Sequence, residues 1–147
     1  MKKALGIALL TLPMFTMAGH KEDCAIAFEL FDDSTKILIS VTETVTEKGS
    51  KAIQDRTVTL NAFNKWSDTG YDPQLKALMA KSAQYPGVDK SNPIAIGNLS
   101  MIRLIQYYNA VHRYISYPDK EEIETLTSIT KNLGENYQKL KAMCPEQ

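Results

Sequence analysis

Two cysteines, Cys24 and Cys144, stand near opposite ends of the chain, and their state limits the folds that are open to it. A disulfide between them would close nearly the whole domain into one loop and bring its two ends together. The alternative is a reactive or redox pair, which usually shows Cys-x-x-Cys spacing, and this chain lacks it. Because disulfides persist in oxidising compartments, the choice depends on whether the chain is exported.

The N-terminal segment predicts export. A short basic start precedes an almost wholly apolar stretch over residues 4–15, and small residues then occupy the −3 and −1 positions of a cut after Ala18. We predict a cleaved signal peptide over residues 1–18 and a single helical domain over residues 19–147. The paired lysines of the signal favour a Gram-negative periplasm, with full secretion as the alternative. Export in turn favours the disulfide Cys24–Cys144.

Apolar residues recur at helical spacing through the mature chain, and no segment alternates over a strand length. Asp23 is a predicted N-cap for a first helix that runs to about Lys48 and stops at Gly49. The part of this helix that is rich in β-branched residues could be mistaken for a strand. The segment 50–66 predicts one bent helix or two short ones, and the turn residues 68–70 predict a break.

Three further helix starts carry a cap or a proline. Asp72-Pro73 predicts a short helix, Asn92-Pro93 a helix to about Tyr117, and Asp119 a last helix with Glu122 in an Asp variant of the capping box. Along the last helix, apolar residues follow at spacings of three or four from Ile123 to Cys144. The predicted fold is all-α, an up-down bundle of about five helices in four legs closed by the disulfide. Two short helices around Gly70 form its middle leg.

Composition excludes several classes of function. The chain has 17 Lys+Arg and 17 Asp+Glu, so it lacks the basic excess that nucleic-acid binding requires. No apolar run reaches the roughly 18 residues that cross a bilayer, so we predict no stable membrane insertion. Two cysteines and two histidines are too few for a Cys/His zinc cluster, and we predict no metal and no cofactor.

Neither histidine predicts a site by itself. His112 shares a helix face with apolar residues such as Tyr108, which favours a core histidine over a tuned base or a ligand in a pocket. His20 would follow the new N-terminal Gly19 after cleavage, a donor pattern suited to Cu(II), although a disordered tail is the plainer interpretation. No nucleophile, metalloprotease or phosphate-loop motif is present, so we predict no catalytic residues and no enzyme.

Acidic side chains on the first helix form one candidate partner surface. As a solvated face they need no explanation, and as a functional feature they would steer a basic partner. We call this set the acidic strip: Glu29, Asp32, Asp33, Glu43 and Glu47.

The helix predicted over residues 93–117 has two apolar faces. Its second face begins with Ile96 and Leu99 and is another candidate partner surface. Tyr and Arg carry much of the energy at protein interfaces. Burial of this face against the short helices is the alternative. The candidate partner-binding residues on it are Arg103, Tyr107, Tyr114 and Tyr117.

These features together predict a non-enzymatic protein-binding module. The leading hypothesis is a periplasmic inhibitor or immunity-type protein that occludes a secreted toxin or a hydrolase. The alternative is a small-molecule or metal carrier, with a pocket inside the bundle near His112 and Tyr108. An enzyme that uses scattered carboxylates ranks last.

Overall fold

The computed structural model describes residues 14–46 and 53–145, and these residues form four helices and no strand. A 3-10 turn, Ile53–Asp55, precedes the second helix. The helices are α1 (Met14–Val45), α2 (60–82), α3 (Pro93–Ser116) and α4 (Lys120–Met143).

Helix α1 begins earlier than its predicted cap. Asp23 lies inside the helix, and its carboxylate instead accepts a hydrogen bond from Nδ2 of Asn92 at 2.8 Å. The part of α1 that is rich in β-branched residues is helical, as predicted. Its hydroxyls donate to the carbonyl four residues earlier, as at Thr35 and Thr44, a hydrogen bond that is made within the helix. The predicted stop at Gly49 lies outside the described residues.

Helix α2 is continuous where a break was predicted, so the bundle has four helices instead of about five. Leu60–Trp66 and Asp72–Ser82 are joined by one π turn, Ser67–Tyr71, in which the Asp72 N–H bonds to the Ser67 carbonyl five residues back. A Cβ on Gly70 would lie 2.4 Å from Nε1 of Trp66, so glycine here admits the indole ring and does not end the helix. Pro73 lacks an N–H and cannot donate a helical hydrogen bond, and a single π turn inside an α-helix is a known if rare irregularity.

The predicted starts of α3 and α4 are confirmed. Oδ1 of Asn92 accepts from the Ile94 N–H at 2.8 Å, and Oδ1 of Asp119 accepts from the Glu121 N–H at 3.2 Å. The predicted capping box does not form at α4, because the Glu122 carboxylate pairs with the Arg113 guanidinium on α3, with Oε1 2.5 Å from Nε.

The helices run alternately up and down, and α3 lies in the middle, packed on α1, α2 and α4. Cys24 and Cys144 are disulfide-bonded, with Cα atoms 5.8 Å apart. Near the bond, Tyr137 of α4 packs on Phe28 and Phe31 of α1. The predicted all-α up-down bundle and its disulfide are therefore confirmed.

Candidate partner-binding surface

The second face of α3 divides into a buried half and an open half. Tyr107 and Tyr114 are only 6% and 7% exposed. The Tyr107 hydroxyl bonds to Oγ1 of Thr42 at 2.7 Å, and the Arg56 guanidinium lies 5.8 Å from the Tyr114 ring centre. Burial also raises the pKa of Tyr107. Burial therefore accounts for these two tyrosines without a partner, and their role in partner binding stays a prediction.

The other two predicted residues of this face lie far apart. Arg103 is half-buried; its Nη1 donates to Oε1 of Gln106 at 2.7 Å, while its Nε is buried without a hydrogen-bond partner among the described residues. Tyr117 is exposed at the C-terminal end of α3. These side chains do not make one continuous surface with the tyrosines between them, because those tyrosines are covered.

The acidic strip is partly neutralised by α2. Nζ of Lys81 lies 2.8 Å from Oε1 of Glu29 and 2.5 Å from Oδ2 of Asp33. These hydrogen bonds, first to Asp33 and then to Glu29, raise the pKa of Lys81. Glu29 and Asp33 therefore attach α2 to α1. Among the described residues, Asp32 and Glu43 are the exposed members of the strip that have no ion pair. Glu47 lies outside the described residues.

An open apolar cleft lies beside the first half of α3. It has a volume of about 470 Å³ and is bounded on its other side by the loop before the helix. Its aliphatic side chains include Ile102, which is 47% exposed. We call this surface the α3 cleft: Gly87, Val88, Lys90, Ala95, Ile96, Asn98, Leu99 and Ile102.

Local sequence explains the shape of the cleft. Gly87 has a φ of 67°, a left-handed conformation that glycine adopts at little cost, and it turns the loop towards α3. Oδ1 of Asn98 accepts from the Ser82 hydroxyl at 2.7 Å and so ties the end of α2 to α3. Sequence reasoning found two lining residues, Ile96 and Leu99, on the second apolar face. It missed Val88, because a single valine in a polar loop carries no periodic signal.

A smaller cleft of about 220 Å³ lies between α1 and α2. Lys81 and Asp33, which form the ion pair, line it together with Lys36. Its charged groups are already paired with one another, since Nζ of Lys36 also lies 3.6 Å from Asp33. Because these charges are paired, this cleft is a weaker candidate for a partner-binding surface than the α3 cleft.

The region proposed for a ligand pocket is filled by aromatic rings. His112 is half-buried, with its ring centre 6.3 Å from Phe63 and 6.5 Å from Tyr108. Tyr108 in turn stacks on Tyr71 at 3.8 Å and bonds through its hydroxyl to Ser67 at 2.7 Å. Neither of the two clefts described above borders His112.

His20 lies beside the disulfide, which sequence reasoning missed. Its Nε2 lies 3.0 Å from the Met143 carbonyl oxygen and 3.7 Å from Sγ of Cys24. The segment expected to be a disordered tail is instead part of α1. The signal was available in the spacing, because His20 and Cys24 are four residues apart and share a face once the helix extends over both.

Comparisons with protein-family models, curated proteins and solved structures found no match to this chain. Among the described helices, none is both long enough and apolar enough to cross a membrane. The functional argument therefore rests on the geometry of the clefts and side-chain clusters.

Proposed function

We propose that this protein is an exported, non-enzymatic protein-binding module of the inhibitor or immunity type, which neutralises a toxin or hydrolase in the periplasm by covering it. The observation that carries the proposal is the α3 cleft. Its centre is aliphatic, and Lys90 and Asn98 bring polar groups to the same surface. An apolar centre with a polar rim is the usual anatomy of a protein interface.

The cleft also indicates the chemistry of the partner. Val88, Leu99 and Ile102 favour an aliphatic or aromatic anchor, because such a side chain loses its contact with water on docking. Lys90 favours an acidic group beside that anchor. Asp32 and Glu43 lie on a different helix, and we assign them at most a steering role for a partner with basic groups.

Two isoleucines of equal exposure allow a matched test. Ile102 borders the α3 cleft and Ile39 lies on α1, and each is 47% exposed. The purified protein would serve as bait in a periplasmic extract that includes proteins encoded beside its gene. We expect Ile102→Asp to weaken binding of the recovered partner at least tenfold, about 1.4 kcal/mol, and Ile39→Asp to leave it unchanged.

Inhibition needs a second measurement. The activity of the recovered partner should fall when the wild-type protein or the Ile39→Asp variant is added, and it should persist with Ile102→Asp. Equal affinity of the wild type, Ile39→Asp and Ile102→Asp for the partner would show that it binds elsewhere, and would refute the α3 cleft as the binding site. A partner that stays fully active in the complex would refute the inhibitor class.

A further inference from the structure

The outer face of α1 carries a large aliphatic side chain to which the proposed function assigns no contact. Ile39 is 47% exposed and lies in a row of exposed residues at spacings of four, three and four, so they share one side of the helix. We call this surface the Ile39 stripe: Asp32, Lys36, Ile39 and Glu43. Glu43 is one turn away from Ile39. The stripe therefore presents an aliphatic group with an acidic group beside it.

This is the chemistry that the α3 cleft favours in an occupant. Leu99 and Ile102 line the cleft, and contact with Ile39 would remove apolar surface of both partners from water. Lys90, on the rim, has the charge opposite to that of Glu43. Neither Lys90 nor Glu43 forms an ion pair among the described residues. The two charges can therefore pair without breaking an existing contact.

The two surfaces cannot meet within one chain. Helix α1 faces α3 with Ala27 and Leu30, the residues that a Cβ on Gly97 would meet. At roughly 100° per residue, the Ile39 stripe lies on the side of α1 opposite to Ala27 and Leu30. Ile102 lies about 140° around α3 from Gly97 by the same geometry. Both surfaces thus point away from the contact between α1 and α3, and Ile39 can reach an α3 cleft only on another molecule.

We propose that the protein associates with itself, with the Ile39 stripe of one copy docked in the α3 cleft of a second copy. Ile39 contacts the aliphatic centre of the cleft, and Glu43 pairs with Lys90 across the interface. Because one cleft and one helix face make a small interface, we expect a dissociation constant on the order of 100 µM. A second copy then covers the cleft in concentrated protein, and a tighter-binding partner displaces it. The proposal does not rest on the protein-binding function, which concerns a foreign occupant of the same cleft.

Sedimentation of the purified, oxidised protein from about 1 µM to about 1 mM covers the expected dissociation constant. The average mass of the wild type should rise with concentration. Ile39→Asp and Ile102→Asp should each weaken self-association at least tenfold, because either change places a charge in the apolar contact. Met79→Asp is the matched control, since Met79 is 49% exposed on α2 and borders neither surface, and it should associate as the wild type does. Circular dichroism checks that each variant keeps its helices.

A mixture of the two isoleucine variants tests whether unlike surfaces meet. Ile39→Asp keeps the α3 cleft and Ile102→Asp keeps the Ile39 stripe, so an equimolar mixture should associate at concentrations where each variant alone is monomeric. The charges allow a second test. Glu43→Lys and Lys90→Glu should each weaken self-association, and the double variant should regain it, because the pair is restored with its signs exchanged.

Four results would overturn the proposal: a wild type that stays monomeric at about 1 mM, association of Ile39→Asp or Ile102→Asp equal to that of the wild type, a mixture that stays monomeric, or no recovery in the charge-exchanged double variant. A monomeric wild type would leave the α3 cleft to a foreign partner, and the inhibitor test would be unaffected. That test uses protein diluted to about 1 µM or below, where self-association is negligible, so Ile39→Asp remains its control.

Discussion

Tyr71 and Tyr108 have rings 3.8 Å apart and within 5° of parallel, yet their hydroxyls differ in environment. The Tyr108 hydroxyl bonds to Ser67 at 2.7 Å. The Tyr71 hydroxyl is buried and has no hydrogen-bond partner among the described residues. Because a buried polar group without a partner costs free energy, one ring carries a stabilising hydroxyl and the other a destabilising one.

Replacing each tyrosine by phenylalanine tests this difference. Tyr71→Phe should raise the free energy of unfolding by about 1 kcal/mol, since it removes the unsatisfied hydroxyl and keeps the ring. Tyr108→Phe should lower it by about 0.5–1.5 kcal/mol, since it removes a made hydrogen bond. Urea unfolding near pH 7 measures both. Loss of stability in Tyr71→Phe would mean that its hydroxyl has a partner.

Alkaline pH gives an independent check on Tyr71. Burial, with the nearby Tyr108 and Asp72, raises the pKa of Tyr71 above its ordinary value of 10.0. Above about pH 10 the unfolded chain loses this proton and the folded protein keeps it, so the free energy of unfolding falls as pH rises. Below about pH 10, Tyr71 is protonated in both the folded and the unfolded state, so its titration does not lower the free energy of unfolding. Relative to Tyr71→Phe, the wild type should lose up to about 1.4 kcal/mol more per pH unit above that point.

At the scale of elements, the close contact of α1 with α3 depends on Gly97. A Cβ at this position would lie 2.9 Å from Cβ of Leu30 and 3.0 Å from the Ala27 carbonyl oxygen. Neither atom is the end of a flexible side chain, so the helices themselves would have to move apart. Gly134 on α4 is the contrasting case, because a Cβ there meets no atom within 4 Å.

These two glycines form a matched pair. Gly134→Ala should raise the free energy of unfolding by about 0.5–1 kcal/mol through helix propensity. Gly97→Ala has the same gain, but the added Cβ overpacks the interface by about 1–3 kcal/mol. We therefore expect Gly97→Ala to be about 1–3 kcal/mol less stable than Gly134→Ala in thermal or urea unfolding. Equal stabilities would show that α1 and α3 separate without cost.

Helix α2 shows where reasoning from local sequence fails. Asp68, Thr69 and Gly70 are turn formers, and a proline follows at position 73, so the local pattern predicts two helices. In the bundle, the Phe63 and Trp66 rings pack at 5.5 Å, and Tyr71 stacks on α3. Phe63 and Trp66 precede the π turn, and Tyr71 is its last residue. The stacking of Tyr71 on Tyr108 stabilises the continuous helix with its one π turn, and no short window of sequence contains that contact.

At the scale of the whole molecule, the disulfide spans 120 residues and holds the two ends of the bundle together. Chain-entropy arguments assign roughly 4–5 kcal/mol to a loop of this size, and measured values are often smaller. This is a large share of the stability of an ordinary domain, about 5–15 kcal/mol.

Removal of the disulfide should therefore weaken the whole bundle. We expect the double variant Cys24→Ala and Cys144→Ala to lose up to about 5 kcal/mol in urea unfolding, with all four helices melting together. The intact mass of the non-reduced protein from a periplasmic extract provides the control. Two free thiols in that protein would contradict the bond, and a mature N-terminus other than Gly19 would contradict the predicted cut.

The sequence by itself determined the helical class, the starts of α3 and α4, and the pairing of the two cysteines. These properties depend on local spacing and caps, and on there being only two cysteines to pair. Tertiary structure alone decided that Tyr107 and Tyr114 are covered and that Lys81 neutralises part of the acidic strip. Periodicity shows which side chains share a helix face, but burial and pairing depend on which other helix packs on that face.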